Sequence, residues 1–128
     1  MRVMVDTNVI ISAVYNANSK PAAVLHHVCE NHELVLCDYI IAECYDVIMR
    51  KFPHHVTVFD TLLVSLGYEL VAAPRDGLTM PDPKDSPILN AAIIADVDLI
   101  VSGDKHFLML ELERPAVWTP SMYFEMEM

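Results

Sequence analysis

Basic residues are scarce in this chain of 128 residues, which has 8 Lys and Arg against 18 Asp and Glu and a formal net charge of −10. A protein that coats nucleic acid needs a basic face to displace counterions from phosphates, so this balance argues against a general nucleic-acid coat. It does not argue against a nucleic-acid enzyme whose acidic side chains hold metal. The acidic residues are therefore the first candidates for a functional site.

Cysteine is also rare, since Cys29, Cys37 and Cys44 form an odd set without a C-x-x-C pair. This pattern argues against a disulfide scaffold and against a zinc finger, and we expect buried thiols. Asp6 interrupts the apolar run at the start of the sequence, and the longest later apolar stretch, 88–101, contains an asparagine and two aspartates. Neither segment is typical of a signal peptide or a membrane span. We therefore expect a cytoplasmic protein.

Several functional motifs are missing. The sequence has no Walker loop and no G-x-G-x-x-G, H-E-x-x-H or G-x-S-x-G motif. Their absence argues against a nucleotide switch, a dinucleotide enzyme, a zinc protease and an esterase. By contrast, 54% of the residues are hydrophobic, which is ample for a buried core and excludes disorder. No repeat or linker divides the sequence, so we expect a single domain over residues 1–128.

Short apolar segments alternate with helical patterns along the chain. The predicted strands are Val3 to Val5, Leu34 to Cys37, Tyr68 to Val71, Leu99 to Val101 and Ala116 to Trp118. Helical spacing of apolar residues fills most of the intervals, with Asp6, Ser19 and Asp38 as candidate helix caps. This alternation predicts an α/β fold, a three-layer α/β/α sandwich with a central, mainly parallel sheet of about five short strands.

Four acids fall where this architecture would bring them together. Asp6 and Asp104 follow predicted strands, Asp85 opens a helix at the same edge, and Glu43 lies one turn into the helix after Cys37. Open α/β sheets bind ligands at the carboxyl ends of their strands. Converging carboxylates repel one another unless a divalent cation joins them, and oxygen ligands favour Mg²⁺ or Mn²⁺ over zinc.

Phosphodiester hydrolysis is the chemistry that suits such a site. Metal ions held by carboxylates orient a water, lower its pKa and neutralise the charge that develops on the phosphate. Lys84 and Lys105 each adjoin one of the four acids, and they are candidates for contact with a substrate phosphate. The sequence thus predicts a metal-dependent hydrolase.

Simpler interpretations exist for each acid. Asp6 and Asp85 are suited to capping helices, Asp104 to a turn after Gly103, and Glu43 to an exposed helix surface. Their joint placement favours the metal site, although Asp82 competes with Asp85 for its role. An aspartate-nucleophile phosphatase also begins with a strand and an aspartate. That class needs a second aspartate two residues later, where this chain has Asn8.

Four segments together resemble the PIN domain family over the length of the chain, most closely the toxins of bacterial and archaeal toxin–antitoxin pairs. They are Val5 to Val9 with the motif D-T-N, the Glu43 helix, Asp82 to Ala92, and Ile100 to Phe107 with the motif S-G-D-K. The resemblance implies a PIN-like fold and a ribonuclease that acts on single-stranded RNA with Mg²⁺ or Mn²⁺. It also implies a homodimer that is inhibited by a small antitoxin protein.

The resemblance also assigns roles by matching position. The acids of the catalytic and metal site would be Asp6, Glu43, Asp85 and Asp104. Asn8 and Ser102 would support them through hydrogen bonds to the acids or to water. Relatives often have an acid where this chain has Lys84 and another where it has His106. These two departures and the low basic content motivate an alternative function, a catalytically weak or inactive PIN-fold module that binds proteins.

Overall fold

The central sheet of the protein is parallel throughout the part of the chain that the computed structural model describes, which is residues 1–74, 86–110 and 112–128. The strands are β1 (Arg2–Val5), β2 (Glu33–Cys37), β3 (Glu69–Val71), β4 (Leu99–Val101) and β5 (Ala116–Trp118). They lie in the order β3-β2-β1-β4-β5. All five predicted strands are confirmed, with bounds that agree to within one residue.

Helices connect the strands and cover the sheet. They are α1 (Thr7–Tyr15), α2 (Lys20–Asn31), α3 (Asp38–Lys51), α4 (Val56–Ser65), α5 (Ser86–Ile94), α6 (Lys105–Leu108) and α7 (Pro120–Glu127), with a 3₁₀ helix at Pro53–His55. From β1 the chain proceeds outward to β2 and β3, and then returns to β4 and β5 on the other side of β1. Because parallel crossovers are right-handed, the two halves place their helices on opposite faces of the sheet. The predicted three-layer sandwich is confirmed.

Two of the predicted helix caps are present. The Asp6 carboxylate accepts a hydrogen bond from the Thr7 N–H at the start of α1, and the Ser19 hydroxyl accepts one from the Ala22 N–H in α2. Proline follows at position 21, within the first turn of α2, where a missing N–H costs nothing.

The predicted cap of α3 is wrong. Cys37, in extended conformation, is the N-cap, and Asp38 is the first helical residue. The Asp38 Oδ1 atom accepts hydrogen bonds from the N–H groups of Tyr39 and Ala73, at 2.8 Å each. The second of these bonds comes from the segment after β3, so the carboxylate joins α3 to that segment.

The core lies around the central strands. Val3, Met4 and Val5 of β1 are fully buried, as is most of β2 and β4. Helices on both faces explain why these strands contain consecutive apolar residues, without alternation of polar and apolar side chains. Two of the three cysteines are buried as predicted, whereas Cys29 is half-buried, with its sulfur beside the backbone of Gly67. The described helices include none that is both long enough and apolar enough to cross a membrane.

The reversal in strand order lies between β1 and β4. Val5 is paired with Val101, so the chain leaves both strands at the same level. The Asp6 N–H donates to the Val101 carbonyl at 2.9 Å, and the Ser102 N–H donates to the Trp118 carbonyl at 3.0 Å. Open α/β sheets form their ligand crevices at such a reversal. We therefore expect the functional site at the carboxyl ends of β1 and β4.

Helix α7 is held to the domain by Tyr123, which is fully buried. Its hydroxyl lies 2.8 Å from the Nδ1 atom of His27, which is on α2. Helix α7 is thus packed within the chain through this side chain. Burial raises the pKa of Tyr123 to about 12, so the hydroxyl stays protonated near neutral pH.

Removal of this hydroxyl tests the anchoring of α7. We expect Tyr123→Phe to lower the free energy of unfolding by about 1 kcal/mol, because one buried hydrogen bond is lost. Tyr123→Ala should cost about 3–5 kcal/mol, because it also leaves a cavity. Urea unfolding measures both. The matched control is Tyr15→Phe, since Tyr15 is 66% exposed and its change should stay within about 0.5 kcal/mol. Equal effects of the two Tyr→Phe changes would contradict the anchoring role.

Candidate active site

A polar cleft of about 470 Å³ opens at the carboxyl ends of the central strands. Its polar lining includes Asp6, Asn8, Glu43, Asp46, Arg50 and Asp104. Three of the four predicted acids therefore lie in a single cleft, although they are separated by up to 98 positions in the sequence. The fourth, Asp85, lies outside the described residues, as do Lys84 and the competing Asp82.

Asp6 is the most buried of these acids, with 3% of its surface exposed. Its Oδ1 atom accepts a hydrogen bond of 2.7 Å from the Thr7 N–H. Its Oδ2 atom accepts one of 2.8 Å from the Ser102 hydroxyl. Both carboxylate oxygens are thus fixed, one by the start of α1 and the other by the end of β4. Ser102, whose supporting role is a prediction, therefore contacts an acid of the cleft.

Burial raises the pKa of Asp6 to about 6, well above the usual value for an aspartate. The hydrogen bonds from Ser102 and Thr7 lower this pKa, and the negative charges of Glu43 and Asp104 raise it further. A buried carboxylate beside two others is unfavourable when it is ionised. A cation bound beside Asp6 would lower its pKa, because a positive charge favours the ionised form of a carboxylate.

Asp104 is positioned by the turn that leads from β4 into α6. It is the N-cap of α6, and its Oδ1 atom accepts a hydrogen bond of 2.8 Å from the His106 N–H. The His106 imidazole Nδ1 atom lies 3.4 Å from the same oxygen. The Asp104 N–H in turn donates to the Ser102 hydroxyl oxygen at 3.0 Å. Ser102 therefore links Asp6 and Asp104 directly.

Helix α3 presents one continuous face to the cleft. Tyr39, Glu43, Asp46 and Arg50 recur at intervals of three or four residues, so they lie along one side of the helix. Glu43 makes no hydrogen bond with any described residue. Arg50 lies 3.5 Å from Asp46 and is largely exposed. It brings a positive charge to the cleft.

The residues of the cleft suit a hard divalent cation. Their donors are carboxylate, amide and hydroxyl oxygens, which Mg²⁺ and Mn²⁺ prefer. The Thr7 hydroxyl is buried beside Asp6 and has no hydrogen-bond partner within the described residues. Over those same residues, no three His, Cys, Asp or Glu side chains lie close enough to hold one ion together. The metal site thus remains a prediction, and Asp85 is the acid that would complete it.

Sequence reasoning missed four polar residues of this cleft. Asp46, Arg50 and Tyr39 follow from Glu43 by helical spacing, a signal that was available once Glu43 was placed. Thr7 gave no such signal, because its burial depends on the packing of the completed fold. Lys105 is exposed at the start of α6 and is not among the residues that line the cleft, so its contact with substrate stays a prediction.

Comparison with known proteins agrees with this architecture. The profile of the PIN domain matches residues 2–106, which include Asp6, Glu43 and Asp104. The chain belongs to the PIN domain family. No curated protein sequence matches this PIN domain.

A solved structure similar to this PIN domain is that of VapBC2 from Rickettsia felis, bound to a DNA fragment from the promoter. The TM-score is 0.69 at 15% sequence identity, and the alignment covers 93% of this chain and 98% of the matched one. At this identity the match supports the fold alone.

Replacement of Asp6 tests the electrostatics of the PIN-domain cleft. The pKa of Asp6 is raised to about 6 from 3.8, so the folded state loses stability as the pH rises between these values. The cost of the ionised carboxylate is fully present above about pH 6. The quantity to compare is the free energy of unfolding of Asp6→Asn minus that of the unmodified protein. We expect this difference to favour the variant by about 1 kcal/mol more at about pH 8 than at about pH 5. Urea unfolding in the presence of a chelator measures this difference. The same difference at both pH values would contradict an electrostatic cost of the ionised Asp6 carboxylate.

Proposed function

We propose that this protein is a metal-dependent endoribonuclease that hydrolyses phosphodiester bonds of single-stranded RNA, and that it is the toxin of a toxin–antitoxin pair. The observation that carries the proposal is the buried Asp6 carboxylate, which shares one cleft with Glu43 and Asp104. Membership of the PIN domain family supports it, because PIN domains are generally nucleases.

Asp6, Glu43, Asp85 and Asp104 would hold Mg²⁺ or Mn²⁺ and form the catalytic site. Such an ion, when bound, lowers the pKa of a water near the phosphate and neutralises charge on the leaving oxygen. The hydrogen bonds from the Thr7 N–H and the Ser102 hydroxyl hold both oxygens of Asp6, which supports a fixed position for this proposed metal ligand. Within the described residues Glu43 has no such hydrogen bonds, and its proposed role is to orient the attacking water.

Asn8 and Ser102 support the acids in different ways. The Ser102 hydroxyl donates to Asp6 and accepts from the Asp104 N–H, which sets the spacing of the two acids. Asn8 is exposed at the cleft, where its amide can donate to a phosphate oxygen or accept from water. Lys84 and Lys105 are proposed to contact phosphates of the substrate. The chain's own residues thus supply both the acids and the groups that orient them.

The proposed partners follow from the family. We propose a homodimer, cytoplasmic like its RNA substrate, and a small antitoxin protein that inhibits it. The VapBC2 structure, which shares this chain's fold, supports the proposal of an antitoxin partner. A small open reading frame immediately upstream of this gene is the arrangement that we expect for an antitoxin.

Cleavage of RNA is the direct test. We expect the purified protein to cleave single-stranded RNA with Mn²⁺ or Mg²⁺ and to lose activity in a chelator. Asp6→Asn and Asp104→Asn should each lower kcat/KM by more than about 100-fold, since even residues that only orient metal ligands contribute about 10–100-fold. Gel analysis of a labelled oligoribonucleotide measures the rate.

The matched control is Asp60→Asn, which changes an exposed aspartate of α4 outside the cleft and should leave the rate unchanged. Circular dichroism verifies that all variants are folded. Equal rates for the protein and its Asp6 and Asp104 variants would contradict the assignment. Folded protein without any metal-dependent cleavage would favour the non-catalytic module.

A further inference from the structure

A second groove, of about 510 Å³, adjoins the acid cleft. It is lined by Asp38, Tyr39, Ala42, Ala73, Pro74 and Pro87. Tyr39 and Ala42 line both depressions, so the groove and the cleft form one continuous surface. Along α3, Tyr39 lies one helical turn from Glu43, a separation of about 6 Å along the axis. The groove therefore begins within the reach of a single nucleotide from the acids.

The chemistry of the groove differs from that of the cleft. Among the described residues, its walls are alanine and proline side chains and the ring of Tyr39, with the carboxylate of Asp38. Proteins bind single-stranded RNA by stacking its bases on aromatic rings and by hydrogen bonds to the base edges. A carboxylate repels a phosphate, so the backbone of the strand is disfavoured here. Among the parts of an RNA strand, a nucleobase suits these walls best.

Asp38 is held as a hydrogen-bond acceptor of fixed direction. Its Oδ1 atom accepts from the backbone N–H groups of Tyr39 and Ala73. Within the described residues, its Oδ2 atom accepts no hydrogen bond. A carboxylate oxygen in this state accepts readily from an amino group, and Asp and Glu accept in this way from the N4 amine of cytosine.

We propose that this groove binds the nucleobase next to the scissile phosphate, and that Asp38 selects a base with an exocyclic amino group. The inference rests on the proposed ribonuclease function and adds a sequence preference to it. Cytosine and uracil provide the sharpest comparison, because they have the same size and differ at the edge that carries the N4 amine or the O4 carbonyl. Cytosine is the preferred base.

Replacement of the Asp38 carboxylate by an amide, in Asp38→Asn, tests the selection of the base. The substrates are oligoribonucleotides with one cleavable position, flanked by cytosine or uracil on either side. We expect the protein to prefer cytosine at one flank by about fivefold or more in kcat/KM. In Asp38→Asn the amide oxygen can keep both backbone hydrogen bonds, while the amide nitrogen donates where Oδ2 accepted. The preference should therefore move toward uracil, whose O4 atom is an acceptor.

Two further variants separate stacking from selection. Tyr39→Leu should lower kcat/KM for both bases by about tenfold, because the aromatic platform is lost, and should leave their ratio unchanged. Tyr39→Phe keeps the ring and should restore most of the rate. Asp60→Asn is the matched aspartate control and should alter neither the rate nor the ratio.

The outcomes distinguish this inference from the proposed function. Folded protein that cleaves no RNA with Mn²⁺ overturns the proposed function, and fluorescence anisotropy of cytidine and uridine oligonucleotides then measures the base preference without cleavage. Metal-dependent cleavage with equal rates for cytosine and uracil at both flanks overturns the inference alone. A cytosine preference that Asp38→Asn leaves unchanged also overturns it. A preference that this variant reverses, in cleavage or in binding, supports it.

Discussion

The site depends on one buried contact, the Asp6 carboxylate held between the Thr7 N–H and the Ser102 hydroxyl. This contact joins the end of β1 to the end of β4, the two strands between which the strand order reverses. A charged group in this position is stabilised only in part by its hydrogen bonds, since its pKa remains raised to about 6. The fold thus carries an electrostatic cost at the cleft, and a bound cation would offset it.

Part of the excess of acidic residues lies in the cleft. At least Asp6, Glu43, Asp46 and Asp104 face one cleft, and Arg50 is the one cation among its described lining residues. A surface of this kind provides little non-specific attraction for phosphates, because few counterions are released on binding. Under the proposed function, affinity for RNA would then come from metal, from local contacts such as the groove beside Tyr39, or from a second subunit. The net charge of −10 is consistent with an RNA enzyme on these terms.

Sequence patterns predicted the strands and the sheet because each strand is a short apolar run whose ends are marked by polar residues. The positions of Asp6 and Asp104 were predictable for the same reason, since Asp6 directly follows β1 and Asp104 lies three residues after the end of β4. The link through Ser102 was expected only from the family resemblance, because it depends on β1 and β4 being neighbours, a pairing between residues 96 positions apart. Asp38 was misjudged as a cap because its carboxylate bonds to the distant Ala73 N–H, and local propensity carries no information about that contact.

The central claim is that the carboxylates of the cleft bind a divalent cation, and calorimetric titration of the metal-free protein with Mn²⁺ tests it most directly. The account predicts a saturable heat of binding that is lost or strongly weakened in Glu43→Gln, a change that leaves the buried contact between Asp6 and Ser102 in place. It also predicts that Glu30→Gln, on the exposed surface of α2, binds Mn²⁺ like the unmodified protein. Folded protein without a binding heat, or equal binding by the Glu43 variant, would contradict the account.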